Sequence, residues 1–257
     1  VNDHKITQVY HLAAILSASG EWNPTKTWNI NLNGLLTILN LAKEKQLKKV
    51  FFPSTIAVFG ATTPRVATPQ HVPLQPETIY GVSKVAGELL CHYYHQRYQV
   101  DVRSVRYPGI IGYQSVPQGG TTDYAVEIFH ALLQGKPYEC FLEPDTRLPM
   151  MYIPDAIRAT INLMEAPVEN IKTRMSYNLA AMSFSPAELF AEIKKLLPHA
   201  QIGYEPDFRQ EIAASWSESI DDSAAREEWG WEPTYDLRKM TEDMIKHIRP
   251  KYLTPHH

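Results

Sequence analysis

Cysteine is scarce in this sequence, which has two such residues among 257. Cys91 and Cys140 are too few for the disulfide framework of a small secreted domain. The chain also lacks a CxxC pair and any histidine-rich cluster with metal-ligand spacing. We therefore expect two unpaired thiols with a role in packing, and no metal site.

Long apolar runs and an excess of one charge sign are also missing. No 18 consecutive residues are apolar, and the first 20 positions do not pair a charged segment with an apolar one. The sequence therefore shows neither a membrane span nor a secretory signal. Its 25 basic and 28 acidic residues give a net charge of −3, which leaves no basic excess for binding phosphates. We expect no membrane or nucleic-acid partner and a cytoplasmic location.

The N-terminal half alternates short apolar or β-branched runs with longer helical patterns, which is typical of βαβ units in a mostly parallel sheet. The predicted strands are Gln8–Ala13, Val50–Pro53 and Val100–Tyr107. Apolar residues at helical spacing predict helices over about Pro24–Lys45 and Tyr80–Tyr98. This half of the chain is predicted to form part of a doubly wound α/β fold.

The C-terminal half is richer in loops and has shorter helices. Helices are predicted at Thr122–Gln134, Pro154–Glu165 and Pro186–Leu197, between segments rich in Gly, Pro and Thr. We expect residues 1–116 to form the sheet domain and residues 117–257 to form mainly a smaller mixed lobe. Segments near 150–180 are expected to return to the sheet domain.

Tyr80 and Lys84 carry the sharpest chemical signal. They lie four residues apart in IYGVSKVAGE, so on a helix their Cβ atoms share one face about 5 to 6 Å apart. A tyrosine that acts as a base near pH 7 needs its pKa lowered by roughly 3 units from about 10. An ammonium group about 4 Å away stabilises the phenolate by about 4 kcal/mol of Coulomb energy at an effective dielectric constant of about 20. The spacing therefore predicts an acid/base pair in which Lys84 lowers the pKa of Tyr80.

A hydroxyl side chain is predicted to lie beside this pair. Ser54 and Thr55 follow the apolar run VFFP, and the carboxyl ends of parallel strands line the ligand cleft of an open α/β sheet. A strand-end hydroxyl followed by Tyr and Lys one helical turn apart resembles the catalytic set of the short-chain dehydrogenases/reductases. The context FPSTIAVFG resembles their extended, epimerase-like branch. The resemblance implies that Thr55, five residues before Gly60, binds the reacting oxygen, that Tyr80 is the acid/base, and that Lys84 also holds the nicotinamide ribose.

The same resemblance implies that NAD is the cofactor and adds residues around it. Asn31 in NINLNG resembles the structural asparagine of the family, which organises a water molecule beside the lysine. Two segments, VYHLAA and RYPGIIG, resemble those that lie against the cofactor. Besides Tyr80 and Lys84, the residues implied to bind NAD are Leu12, Ala13, Ala14, Pro108, Gly109 and Ile110. We expect His11 to be a hydrogen-bonded core residue and Asp155 to order the interface with the lobe.

One motif of that family is absent from the sequence. The sequence contains no GxGxxG or GxxGxxG turn. In proteins that have such a turn, its backbone N–H groups bind the pyrophosphate of the dinucleotide at a helix N-terminus. The sequence starts, without Met, almost on the strand VYHLAA, the fourth of the family. The expectation is therefore an N-terminally incomplete, Rossmann-type doubly wound parallel sheet that lacks its first βαβ portion. Such a chain would expose the edge of VYHLAA and bind the cofactor poorly, and the residue that selects NAD over NADP would lie outside it.

The C-terminal half bears on the substrate. Three stretches, Pro117–Phe129, Tyr177–Pro186 and Pro206–Trp231, resemble a subfamily that oxidises L-threonine at its β-hydroxyl to 2-amino-3-oxobutanoate. Sugar-nucleotide epimerases usually have a YNxGxG-like segment where this chain has YNLAAMSF, and they carry basic residues for a diphosphate. The residues implied to bind the substrate, with Thr55 and Tyr80, are Ser17, Gly120, Thr121 and Trp216. This small, hydroxyl-rich and aromatic set suits an amino acid.

Two alternatives remain open at this point. A sugar-nucleotide 4-epimerase or dehydratase would use the same Tyr, Lys and Thr, and a non-catalytic NAD-binding interaction protein would keep only the fold. By resemblance, helices around residues 31–41 and 80–94 are expected to pair across a two-fold axis into a four-helix bundle. The resulting homodimer would bury Leu36, Leu39, Leu89 and Tyr93.

Overall fold

The computed structural model describes residues 4–114, 116–117 and 119–253. The strands of this part of the chain are β1 (Gln8–Tyr10), β2 (Lys49–Thr55), β3 (Val102–Tyr107), β4 (Gly109–Ile111), β5 (Tyr138–Cys140), β6 (Leu148–Tyr152), β7 (Tyr177–Asn178), β8 (Met182–Phe184) and β9 (Ile202–Tyr204). Its α-helices are α1 (Ser17–Glu21), α2 (Pro24–Trp28), α3 (Gly34–Lys45), α4 (Ile79–Tyr98), α5 (Tyr124–Leu133), α6 (Ile153–Glu165), α7 (Pro186–Leu196), α8 (Arg209–Ser215), α9 (Ser223–Trp229), α10 (Leu237–Ile248) and α11 (Pro250–Leu253). A π-helical turn, Asn29–Asn33, joins α2 to α3.

The main sheet is parallel and has the order β1-β2-β3-β7. Strand β2 is buried on both faces, and its central run VFFP is continuously apolar, as is typical of parallel strands covered by helices. The predicted α/β class and parallel sheet are confirmed. Within the described residues β1 is an edge strand, and Tyr10 on it is 42% exposed.

One face of this sheet is covered by α3 and α4. Leu35, Leu39 and Cys91 pack against Phe52 in a common core. Leu39 is fully buried there, so the prediction that it lies in a dimer interface is wrong. Apolar residues of an amphipathic helix can face either the protein's own core or a partner, and Leu39 of α3 faces the core formed with the main sheet.

The other face and the lobe form two further cores. Phe51 and Val105 of the sheet pack with α6 and with Trp231. A larger core joins α5, α7 and α10 to the small sheet β4-β6-β8, in which β8 is antiparallel. Asp155 at the start of α6 accepts hydrogen bonds from the backbone N–H groups of Thr234 and Tyr235, each 3.0 Å away. This carboxylate connects α6 to the segment before α10, as expected, whereas the division of the chain at residue 116 remains a prediction.

Most predicted elements are present with boundaries shifted by one to three residues. The exception is the predicted helix Pro24–Lys45, whose middle turn is π-helical. Cys91 and Cys140 are both free and buried, which confirms their predicted state. Among the described helices, none combines the length and apolarity needed to cross a bilayer.

Candidate active site

A cavity of about 340 Å³ opens between the carboxyl ends of the main sheet and the lobe. Lys84 and all but two of the other predicted site residues line it. They are Leu12, Ala14, Ser17, Thr55, Tyr80, Pro108, Gly109, Ile110, Gly120, Thr121 and Trp216. The structure therefore brings together residues spread over more than 200 positions of the chain. The two exceptions are Ala13 and Asn31.

The beginning of α4 places Tyr80 at the end of β2. The Thr78 side chain caps this helix by accepting a hydrogen bond from Gly81 N at 3.1 Å. Gly81 allows a close approach, since a Cβ added there would lie 2.3 Å from the carbonyl oxygen of Ala57. Thr55 closes the other side by accepting a hydrogen bond from Ala57 N at 3.2 Å. This packing places the Thr55 side chain beside Tyr80, where it lowers the pKa of the phenol.

The Tyr80 phenol is protonated in this cavity at neutral pH. Burial raises its pKa to about 12, and the lowering effect of the Thr55 side chain offsets only part of that increase. The structure thus differs from the expectation that Lys84 lowers the pKa of Tyr80. The reason is that desolvation of the phenolate exceeds the stabilisation that its neighbours supply.

Lys84 lies beneath Tyr80 with its amine turned toward the sheet. Its Nζ donates a hydrogen bond to the carbonyl oxygen of Pro53 at 2.6 Å. The same nitrogen is 4.8 Å from the centre of the Phe52 ring and 5.6 Å from that of Tyr80, which are cation–π distances. Burial lowers the pKa of Lys84 to about 8, against the opposing influence of Cys91 and Glu88. A lysine in this state is charged at pH 7 and titrates within the working range of many enzymes.

The opposite wall carries small polar groups. Thr121 is 1% exposed, and its hydroxyl is buried without a hydrogen-bond partner among the described residues. Gly120 is held beside it, because its N–H donates to a carboxylate oxygen of Asp123 at 2.8 Å. Ser17 at the start of α1 and Trp216 at the end of α8 complete this wall. Since buried hydroxyls are rarely left unsatisfied, the Thr121 hydroxyl is available to a ligand.

Asn31 lies behind the cavity. Its side chain accepts from Ile15 N at 2.8 Å and donates to Ile15 O at 3.0 Å and to Ser83 Oγ at 3.1 Å. The asparagine thus ties the π-helical turn to α4, and its proposed role beside a water molecule remains a prediction. The expectation for His11 is wrong in one respect. This residue is only partly buried, and its Nε2 is buried without a hydrogen-bond partner among the described residues.

A buried ion pair beneath the site escaped the sequence analysis. Glu88, one turn after Lys84 on α4, accepts hydrogen bonds from Arg106 Nη2 at 2.8 Å and from Ser54 Oγ at 2.5 Å. The only local signal was an acidic residue four positions after the lysine. Its partner is on β3, so only the tertiary structure shows the pair.

The cavity fits one end of a dinucleotide. Lys84 and Tyr80 present an amine and a phenol beside the backbone at Pro108–Ile110, with Leu12 providing an apolar surface. These residues would hold the nicotinamide and its ribose. The Thr121 hydroxyl, which also lines the cavity, could form a hydrogen bond with a second, small polar molecule.

Comparison with known proteins agrees with this geometry. Residues 1–180 match the family model described as the NAD dependent epimerase/dehydratase family. The chain belongs to this family. Its cofactor is NAD, which is the group that the cavity fits.

The chain is similar to several L-threonine dehydrogenases. It is 49% identical over 246 residues to mitochondrial L-threonine 3-dehydrogenase of Bos taurus, covering 95% of this chain and 65% of that protein. The holo-form structure of L-threonine dehydrogenase from Cupriavidus necator has 56% identity and a TM-score of 0.94, with 96% of this chain and 80% of that one covered. A monomeric L-threonine 3-dehydrogenase from a metagenome, in apo form, has 50% identity and a TM-score of 0.95, with coverages of 98% and 81%. The chain thus spans about two thirds of the bovine protein and four fifths of the other two.

Proposed function

We propose that this protein oxidises L-threonine at its β-hydroxyl to 2-amino-3-oxobutanoate, with NAD as the electron acceptor. The observation that carries the proposal is the convergence of Thr55, Tyr80 and Lys84 on a cavity that is also lined by Thr121, whose buried hydroxyl has no hydrogen-bond partner among the described residues. The similarity to L-threonine dehydrogenases over nearly the whole chain supports it.

The charge of the cavity favours an amino acid over a sugar nucleotide. Among the described residues that line it, only Lys84 and Asp123 carry charge. Lys84 donates a hydrogen bond to the carbonyl oxygen of Pro53, so the described lining offers a diphosphate one cation, which is already hydrogen-bonded. A volume of about 340 Å³ also suits the reacting end of NAD with a small molecule better than it suits a nucleoside diphosphate sugar.

The side chains divide the chemistry as follows. Thr55 holds the substrate hydroxyl beside Tyr80, and the tyrosine oxygen receives the proton of that hydroxyl. Tyr80 must itself be deprotonated to do so, and the nearby ammonium of Lys84 stabilises the phenolate. Bound NAD supplies the acceptor for the two electrons that leave the β-carbon. Ser17 and Thr121 hold the amino and carboxylate groups, and Trp216 covers them.

The test is NAD reduction by the purified full-length protein with L-threonine, compared with UDP-glucose. We expect absorbance at the NADH band to grow with L-threonine only. Tyr80→Phe should lower the rate by at least about 100-fold, in line with the loss of a general base, while NAD binding measured by calorimetry is retained. Turnover of UDP-glucose, or an unchanged rate in Tyr80→Phe, contradicts the proposal.

The finer assignments of assembly and location are part of the same proposal. Val82, Leu89 and Tyr93 form one exposed apolar face of α4, and a second copy packed on this face gives a homodimer. The metagenome relative is described as monomeric, so measurement of the molar mass decides the point. A cytoplasmic location remains a prediction, and the bovine relative is described as mitochondrial.

A further inference from the structure

Glu88 is a buried carboxylate with no part in the chemistry described above. It is fully buried on α4, four residues after Lys84, so the two side chains share one helix face. Arg106 binds it through Nε, 3.0 Å from one carboxylate oxygen, and through Nη2, 2.8 Å from the other. Ser54 Oγ donates to the first of these oxygens at 2.5 Å. The free energy lost on desolvating a buried ion pair often exceeds the electrostatic free energy gained by pairing, so stability alone does not explain this carboxylate.

The ion pair also connects the strands that carry the site. Arg106 donates from Nη1 to Gln70 O and to Asn178 Oδ1, each at 3.1 Å. Ser54 immediately precedes Thr55 at the end of β2. Glu88 therefore joins α4 to β2 directly, and to β3 and β7 through the guanidinium.

We propose that Glu88 is a positioning residue that keeps the buried amine of Lys84 in its charged form and fixes the strand end that carries Thr55. This inference rests on the proposed function, in which a charged Lys84 stabilises the Tyr80 phenolate. It assigns to Glu88 the role of a buried counter-charge on the same helix face as Lys84.

The other groups around Lys84 supply no negative charge at neutral pH. On α4, burial raises the pKa values of the Tyr80 phenol and of the Cys91 thiol, so both are neutral. On the β1 side, burial and the charge of Lys84 itself lower the pKa of His11. Within the described part of the sheet, Lys84 has the Pro53 carbonyl oxygen as its hydrogen-bond acceptor. Glu88 raises the pKa of Lys84 against the larger lowering effect of burial.

The experiment follows the titration of Lys84 in the full chain, without NAD or substrate. The protein is labelled with ¹³C-lysine, and the Cε resonance of Lys84 is identified by its absence in Lys84→Met. We expect Glu88→Gln to lower the titration midpoint of Lys84 by about one unit or more, which is the effect of a nearby opposite charge. A folded Glu88→Gln protein with an unchanged midpoint overturns the proposal.

The matched control is Asp101→Asn. Asp101 also accepts from a buried arginine, Arg103, at 2.9 Å, but lies before the opposite end of β3. Both variants lose a buried ion pair and should lose stability in urea, yet only Glu88→Gln should move the Lys84 midpoint. An equal shift in Asp101→Asn contradicts a specific role for Glu88.

A double variant covers the case in which Glu88→Gln does not fold. Glu88→Gln with Arg106→Gln leaves no lone guanidinium in the core, and the Lys84 midpoint should still fall, by less than in the single variant. An unchanged or raised midpoint overturns the proposal.

With L-threonine and NAD, the alkaline limb of the plot of kcat/KM against pH for Glu88→Gln should shift to lower pH by the same amount as the Lys84 midpoint. Wild-type protein that does not oxidise L-threonine would contradict the proposed function and leave the titration result unaffected.

Discussion

The Nζ atom of Lys84 lies 5.6 Å from the centre of the Tyr80 ring and donates its hydrogen bond to the sheet, at Pro53. The amine thus stays near the phenol and is at the same time anchored to the strand that carries Thr55. Burial raises the pKa of Tyr80 to about 12 and lowers that of Lys84 to about 8. Without ligands, the lysine therefore loses its proton before the tyrosine does as pH rises.

This order makes Lys84→Met a test of stability against pH. The pKa of Lys84 falls from 10.5 to about 8 on folding, so burial of the charged amine costs about 3 kcal/mol below pH 8. Between pH 8 and 10.5 the unfolded chain binds more protons than the folded one, so the wild-type protein gains stability as pH rises. We expect the advantage of Lys84→Met in unfolding free energy to shrink across this window.

The measurement is urea unfolding at a series of pH values from 7 to 10.5. Lys45→Met is the control, because Lys45 is exposed at the end of α3, and its difference from wild type should stay flat. A constant difference for Lys84→Met would show that folding does not shift the pKa of Lys84.

Whether a contact of the site could be predicted depends on how far apart its two residues lie in the sequence. The Tyr80–Lys84 pair follows from helical spacing alone, and Thr55 from its place at the end of an apolar strand. The raised pKa of Tyr80 depends on burial, which no local pattern shows. Likewise Glu88 and Arg106 lie 18 residues apart on different elements, and Gln70 and Asn178 lie 108 apart, so these pairs exist only in the tertiary structure.

Gly81→Ala tests the close packing that places Tyr80. A methyl group there would lie 2.3 Å from the Ala57 carbonyl oxygen, which is backbone and cannot turn away. Although alanine favours a helix by about 1 kcal/mol, we expect a net loss of about 1 to 3 kcal/mol in unfolding free energy from overpacking. The rate of L-threonine oxidation should fall as well, because α4 must move away from Thr55.

Gly34→Ala is the matched control, since Gly34 also lies in a helix. A Cβ at that position would meet the ring of His11 at 3.6 Å, an ordinary contact. This variant should be as stable as wild type or up to about 1 kcal/mol more stable. Equal effects of the two substitutions in urea unfolding would contradict the steric explanation.

Thr121→Val tests the assignment of the free hydroxyl to the substrate. Valine has nearly the same shape, and removal of an unsatisfied buried hydroxyl should leave the protein as stable as before or more stable. The KM for L-threonine should rise about 10-fold, the value of one hydrogen bond to a charged group, with kcat little changed. In the control Thr241→Val, a buried hydroxyl that donates to Leu237 O at 2.7 Å is lost, so stability should fall and KM should stay the same. An unchanged KM in Thr121→Val would remove this residue from the substrate site.

Leu89→Arg tests the proposed contact between two copies through α4. Leu89 is 55% exposed and shares an apolar face with Val82 and Tyr93, so a charge there costs nothing in the single chain but disrupts a packed dimer by burying an unpaired guanidinium. We expect light scattering to give about 59 kDa for the wild-type chain of 29.3 kDa and the monomer mass for the variant.

Val168→Arg is the control, because Val168 is similarly exposed, at 53%, and lies on a 3₁₀ turn away from α4. The Val168→Arg protein should remain a dimer. A wild-type protein that is monomeric at micromolar concentration would contradict the α4 interface and would agree with the assembly of the metagenome relative.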